Sequence, residues 1–221
     1  MNVAKFHIET FEEFRANTMA RRSDHTREEL KELVCKTAKQ IISEHGLQAL
    51  TTRKVAAQIG YSPGSIYNVY DTLDALISDV NRETISGLLA KFVAIGENDA
   101  PTLSLSGLVQ AYLEYQSENP NLWAANMQHA ARKNIKQPEG YIVELDKLLR
   151  TVEELLSRVL PDLDSLEVRR AVRVLWLSLQ GLSAESSDAK YLKELGETPA
   201  SLAEHLVVHY VRGLNSPGNV Q

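Results

Sequence analysis

A chain of 221 residues with 24 Lys and Arg against 29 Asp and Glu has a net charge of −5. That excludes binding to nucleic acid through bulk positive charge, though not through a small local patch. At 43% hydrophobic and 24% charged, the composition is that of an ordinary soluble protein able to bury a substantial core. The single cysteine, Cys35, excludes an internal disulfide and a cysteine-built metal centre, and it reads as a packed thiol. No segment approaches the roughly 18 apolar residues of a membrane span, and no basic-then-apolar leader is present. The expected location is cytoplasmic.

Residues 1–25 read as an N-terminal extension, with Phe6, Phe11 and Phe14 on one amphipathic helix and an Arg21-Arg22 pair in a polar link. Thr26 and Glu29 stand at capping-box spacing. Leu30, Leu33, Val34, Ala38, Ile41 and Ile42 then fall at three- and four-residue intervals, an amphipathic helix that Gly46 ends. Thr51 or Thr52 caps a short second helix with Val55, Ala56 and Ile59 inward, and Gly60 ends it. Ser62 is a good N-cap, and Pro63 follows where its missing N–H costs nothing. The third helix so begun is expected to run to about residue 70. Ile66, Val69, Tyr70 and Leu73 share its inner face, while Gly64, Ser65, Tyr67 and Asn68 lie on the other.

After Asp71 the pattern changes to long helices, predicted at roughly 72–95, 102–119, 121–136, 139–160, 164–185 and 199–214. Each break between them contains Pro, Gly, Asn or Asp. Residues 215–221 read as a disordered tail. The expectation is an all-α protein of about nine to ten helices. A three-helix helix-turn-helix domain spans 26–72, and a helical ligand-binding and dimerisation domain spans 73–214.

Three short helices with a glycine-containing turn between the second and third make a helix-turn-helix. To meet base edges in a major groove roughly 12 Å wide, the third helix must expose small and polar side chains. Gly64, Ser65 and Asn68 suit that demand. Thr52 and the helix N-terminus suit phosphate oxygens, and Arg53 can reach a phosphate or a guanine. Between Glu44 and Asp71 the chain has no acidic residue, while Arg53 and Lys54 lie inside that gap.

The stretch AKQIISEHGLQALTTRKVAAQIGYSPGSIYNVYDTLDAL, residues 38–76, resembles the tetracycline-repressor (TetR) family of bacterial regulators. The resemblance rests on Glu44, Gly46, Thr51, Val55-Ala56, Gly60, Ser62, Gly64-Ser65-Ile66-Tyr67, Tyr70 and Leu76, residue types fixed at a dozen spacings at once. It implies that Thr52, Arg53, Pro63, Gly64, Ser65, Tyr67 and Asn68 meet DNA. The partners it implies are a pseudo-palindromic double-stranded operator, a small-molecule effector and a second copy of the chain, with repression as the usual outcome. Two departures stand out. Val69-Tyr70 replaces the family's frequent His-Phe, and Leu73 replaces a lysine that often contacts phosphate, so that contact is not carried over. Arg21 and Arg22 are candidates to supply the missing charge from an adjacent groove. A weaker echo lies at Trp176–Gly181, where some members have Trp-x-x-x-His-Gly and this chain has Gln180.

Tyr112, Trp123, Asn126, Met127 and Trp176 are candidate walls of an effector cavity, with His129 and Tyr115 nearby; the same residue types also fill ordinary helical cores. Leu175, Leu179, Leu182, Leu206, Val207 and Tyr210 are expected to pair the last two long helices with a partner as a four-helix bundle. His205 and His209 have the i, i+4 spacing of metal ligands, but without a third ligand of clear spacing, packing is the preferred reading and no metal is expected. No nucleophile with its base, phosphate loop or carboxylate pair appears, so neither an enzyme nor a cofactor is expected. Two other readings stay open: a DNA-bound adaptor governed by a protein partner, and a helical protein for an apolar ligand whose helix-turn-helix is vestigial.

Overall fold

A computed structural model describes residues 25–96, 101–132, 138–184, 192 and 194–215. The N-terminal extension up to residue 24, with Arg21 and Arg22, and the tail from 216 lie outside the described residues. The chain divides into two compact units, Met1–Val80 and Asn81–Gln221. Every described element is helical: α1 Arg27–His45, a 3-10 turn Leu47–Ala49, α2 Thr52–Ile59, α3 Pro63–Tyr67, α4 Leu73–Gly96, α5 Pro101–Glu118, α6 Pro120–Ala130, α7 Glu139–Val159, α8 Ser165–Ala184 and α9 Pro199–Leu214. The boundary between the units falls within α4.

In the first unit each short helix is started by a side chain. The Thr26 hydroxyl accepts from the Glu29 N–H at 3.2 Å, and the Glu29 carboxylate accepts from the Thr26 N–H at 2.6 Å, a complete capping box. That backbone donor holds the Glu29 carboxyl below its ordinary pKa. Thr51, not Thr52, caps α2, its hydroxyl accepting from the Lys54 N–H. Ser62 caps α3 through the Ser65 N–H, and Thr72 does the same for the Ala75 N–H at the start of α4. Val34, Ala38, Ile41 and Ile42 of α1, Val55 of α2 and Ile66 of α3 are at most 1% exposed and form the buried centre of this unit. Cys35 is among the buried residues as well.

Three local details depart from the sequence reading. A 3-10 turn fills residues 47–49, where only a connection was expected. Helix α3 stops at Tyr67, with Asn68 as its cap; the Val69 and Tyr70 N–H groups both converge on the Ile66 carbonyl. This tight turn buries Val69 and Tyr70 without continuing the helix, and Leu73 starts α4 instead of extending α3. Helix α6 ends at Ala130, several residues before the expected end. From Arg132 to Gln137 the sequence is polar apart from Ile135, which offers little apolar surface for a helix to bury.

In the second unit α5 packs with α6, α7 and α9, and α8 packs with α7 and α9. Pro101, Pro120 and Pro199 each open a helix, where proline's fixed φ is already helical. One large core joins Ile85, Leu88 and Phe92 to Tyr112, Trp123, Leu148, Leu156, Val172 and Trp176. A smaller cluster holds Val109, Leu175, Ala203 and Val207.

Candidate functional site: a nucleic-acid interface and an apolar cavity

The turn between α2 and α3 is built by Gly60, whose φ of 73° and ψ of 25° are left-handed. Its N–H and that of Tyr61 both bond to the Ala56 carbonyl, which satisfies the end of α2 and redirects the chain within three residues. Ser62 and Pro63 then start α3. The helix is therefore oriented by its flanks: Ile66 inserts at 1% exposure, and Val69 and Tyr70 follow at 8% and 5%.

What remains outward is the set the sequence singled out. Pro63, Gly64, Tyr67 and Asn68 are exposed and Ser65 is half-buried; on α2, Arg53 is exposed and Thr52 half-buried. The Tyr67 ring is 52% exposed, unusual for so large an apolar surface. Arg53 and Lys54 are the only formally charged side chains between Gly46 and Tyr70, and no ion pair engages either among the described residues. The overall negative charge is thus absent from this face.

Two contacts that the sequence did not reveal tie α1 to the same surface. The Arg27 Nε donates to the Asn68 carbonyl at 3.3 Å, closing the end of α3. His25 Nδ1 lies 2.9 Å from the Tyr61 hydroxyl. Tyr61 thereby gains a role in the turn, which its position alone did not suggest.

Tyr70 faces the other way. Its hydroxyl donates to Asp79 Oδ2 at 2.8 Å, the same carboxylate lies 3.5 Å from Lys31 Nζ, and that ammonium stands 5.3 Å from the Tyr70 ring centre. Burial, reinforced by the neighbouring acid, holds the Tyr70 hydroxyl far above the ordinary tyrosine pKa. It is a fixture of the scaffold.

The second unit contains an apolar cavity of about 40 Å³. Its walls come from α4, α5, α7, α8 and α9, with Phe92, Leu108, Tyr112, Val172, Trp176 and Val207 among them. Of the five predicted effector residues, Tyr112 and Trp176 line it, whereas Trp123, Asn126 and Met127 do not. Trp123 instead stands edge-on to Tyr112 at 5.2 Å and to Trp176 at 6.3 Å, supporting the cavity wall from behind. Asn126, 1% exposed, accepts from the Tyr141 hydroxyl at 3.0 Å. Its amide nitrogen and the Trp123 indole N–H are buried without a hydrogen-bond partner among the described residues. Met127 packs against the core at half burial.

The residues expected at a dimer interface divide in the same manner. Leu175 and Val207 are 5% and 7% exposed and belong to the subunit's own core. Together with Leu179 they line the cavity, so these three face inward. Helical period alone could not separate the inner from the outer apolar stripe, because α8 carries both. Leu182, Leu206 and Tyr210 are half-buried. Outward apolar residues of the two helices include Val174, Leu177 and Val208, at 45%, 66% and 38% exposure, with Leu166 at the start of α8 exposed as well. His205 and His209 lie ring to ring with centres 4.1 Å apart on the outer side of α9. Among the described residues no three His, Cys, Asp or Glu side chains converge as a metal site. No described helix is long and apolar enough to cross a membrane.

With this geometry in view, likenesses to known proteins become informative. Residues 34–80 match the family described as "Bacterial regulatory proteins, tetR family". The chain is 28% identical over 155 residues to the HTH-type transcriptional repressor KstR2 of Mycobacterium tuberculosis, covering 65% of this chain and 76% of that one. It is 25% identical over 89 residues to the nucleoid occlusion factor SlmA of Haemophilus influenzae, a likeness that spans 40% of this chain and only 41% of that protein. The transcriptional regulator FadR from Bacillus subtilis, solved in complex with stearoyl-CoA, shares the fold at a TM-score of 0.60 and 15% identity, over 85% of this chain and 99% of FadR. Residues 34–80, which contain the helix-turn-helix, thus carry the DNA-binding domain of the tetR family of bacterial regulatory proteins, and the rest of the chain is helical like that of the regulators it resembles.

Proposed function

We propose that the protein is a sequence-specific, DNA-binding transcriptional regulator of the cytoplasm, a repressor whose hold on its operator is released by a small molecule. One observation carries the DNA-binding half. The helix that the turn presents buries Ile66 and leaves Gly64, Tyr67 and Asn68 exposed, within a segment, residues 46–70, whose only formal charges are Arg53 and Lys54. Gly64 and Ser65 let the backbone approach base edges, Asn68 can read an adenine edge, and Tyr67, Thr52 and Arg53 reach the backbone. Pro63 fixes the entry of the helix. Nothing in this role calls for catalysis.

Two copies are proposed to bind the two halves of a pseudo-palindrome. Val174, Leu177 and Val208 are the surface we assign to self-association, with Leu182, Leu206 and Tyr210 beside them. The apolar cavity supports an effector, and an effector can weaken DNA binding only by as much as it prefers the DNA-incompetent state. A second reading is a DNA-bound adaptor governed by another protein; a cavity walled by five helices favours the effector.

The test is a binding isotherm on duplexes selected from a random pool by repeated capture. The expected result is a consensus with two related half-sites and an affinity whose logarithm falls linearly with the logarithm of salt concentration. Binding with no sequence preference, or none at all, would overturn the proposal.

A further inference from the structure

Among the described residues the cavity of the second unit is walled by aliphatic and aromatic side chains only: no Asp, Glu, Lys, Arg or His of these takes part, and Tyr112 and Trp176 supply the polar side-chain atoms. Tyr112 is 1% exposed and stands edge-on to Trp176 at 5.9 Å. An anion entering such a space would leave its water with no cation to receive it, whereas apolar cavities stay dry and accept hydrocarbon.

From this we infer the chemical class of the effector: an uncharged, hydrocarbon-rich molecule whose apolar portion enters between α5 and α8, against Tyr112 and Trp176. The inference rests on the reading of the chain as an effector-controlled regulator. At about 40 Å³ the cavity holds only a few heavy atoms, since one water-sized sphere needs roughly 10–15 Å³. A ring therefore enters by displacing part of the wall. Val152 and Leu179, both half-buried, are the wall residues with most access to the surface. Any charged portion of a larger effector stays outside this space.

The chain reports on this directly, because it has two tryptophans, Trp123 and Trp176, and both belong to the aromatic group against the cavity. The experiment titrates the full chain, without DNA, with toluene and separately with benzoate, two probes with one ring in common and a charge between them. Toluene is expected to change the tryptophan emission saturably and to raise the thermal midpoint. Benzoate is expected to bind at least about a hundred-fold more weakly, reflecting the unpaired buried charge. Leu179→Phe, which fills the wall from its half-buried side, should weaken toluene about ten-fold or more. Leu108→Met, a gentler change of the same wall, should alter the emission response if Leu179→Phe fails to fold. Leu166→Phe, exposed and away from the cavity, should leave toluene binding unchanged. Equal binding of benzoate, absence of saturable toluene binding, or wild-type affinity in the folded Leu179→Phe chain would each overturn the inference. A chain that binds toluene but no specific DNA would instead sink the regulator reading and leave the cavity's chemistry standing.

Discussion

The sharpest perturbation is a pair of tyrosine truncations three residues apart. Tyr67 is 52% exposed and makes no hydrogen bond within the described residues, whereas Tyr70 is 5% exposed and donates to Asp79 at 2.8 Å. Surface substitutions usually change stability by no more than about 0.5 kcal/mol; the half of Tyr67 that is covered raises the bound for Tyr67→Ala to about 1 kcal/mol. Tyr70→Ala empties a large buried site and removes the hydroxyl that donates to Asp79, which should cost about 3–5 kcal/mol. On DNA the order reverses. Loss of one contact costs about 1–3 kcal/mol per half-site, so two copies on an operator lose about 2–6 kcal/mol, or roughly 30-fold to over 10,000-fold in affinity. Urea titration measures the first quantity, and fluorescence anisotropy on a selected duplex at fixed salt measures the second. Wild-type operator affinity in Tyr67→Ala, or a stability loss above about 2 kcal/mol, would refute the division between a reading face and a buried face.

Four other changes test separate parts of the structure. Gly60→Ala has space for its methyl, yet it forces a left-handed φ of 73°, so urea titration should show a loss of about 1–2 kcal/mol, with Gly60→Asn milder. Gly87→Ala would drive a methyl into the Tyr115 ring and break that hydroxyl's 2.8 Å bond to the Thr84 carbonyl; a net loss of about 1–2 kcal/mol is expected despite alanine's better helix propensity. Burial raises Tyr115 to about 12, so its contribution is intact below the ordinary tyrosine pKa and is lost as pH climbs from about 10 to about 12; Tyr115→Phe should lessen that decline in chemical-denaturation midpoints measured against pH. Leu177→Asp, at the most exposed apolar position of α8, should convert a dimer to monomers in sedimentation velocity while leaving the helical circular dichroism signal unchanged.

The helix-turn-helix was legible because local chemistry specifies it. Thr26, Thr51 and Ser62 cap, Gly46 and Gly60 terminate, and the buried positions recur at helical spacing, so every start and stop falls on a residue with its own reason. The end of α3 was less legible: Val69 and Tyr70 continue the apolar period, and only the tertiary demand to bury them around a tight turn separates them from the helix. The second unit was legible in its helices and opaque in its sites. Trp123, Asn126 and Met127 sit in the same helical run as real core positions, and the period that flags them cannot distinguish lining a cavity from standing behind its wall. Leu175 and Val207 show the same limit for an interface. An apolar residue on an amphipathic helix has a partner, but which partner depends on faces set by neighbours a hundred residues away. Arg27 and Tyr61 were missed because their contacts cross 41 and 36 residues of chain, beyond any local pattern.

Helix α3 is five residues long. Isolated helices well beyond that length are already marginal in water, so this segment has no existence as a reading element apart from the caps, the turn and the buried side chains that hold it. Transplanted into another scaffold it would not read anything. The same brevity divides the labour of evolution within the segment. Ser62, Pro63, Ile66, Val69 and Tyr70 are committed to holding the helix in place, so on the proposed reading Gly64, Ser65, Tyr67 and Asn68 are left as the alphabet in which a change of operator can be written. A vocabulary of four positions is too small to address a genome singly, and doubling it through a second copy is the economical way to lengthen the word.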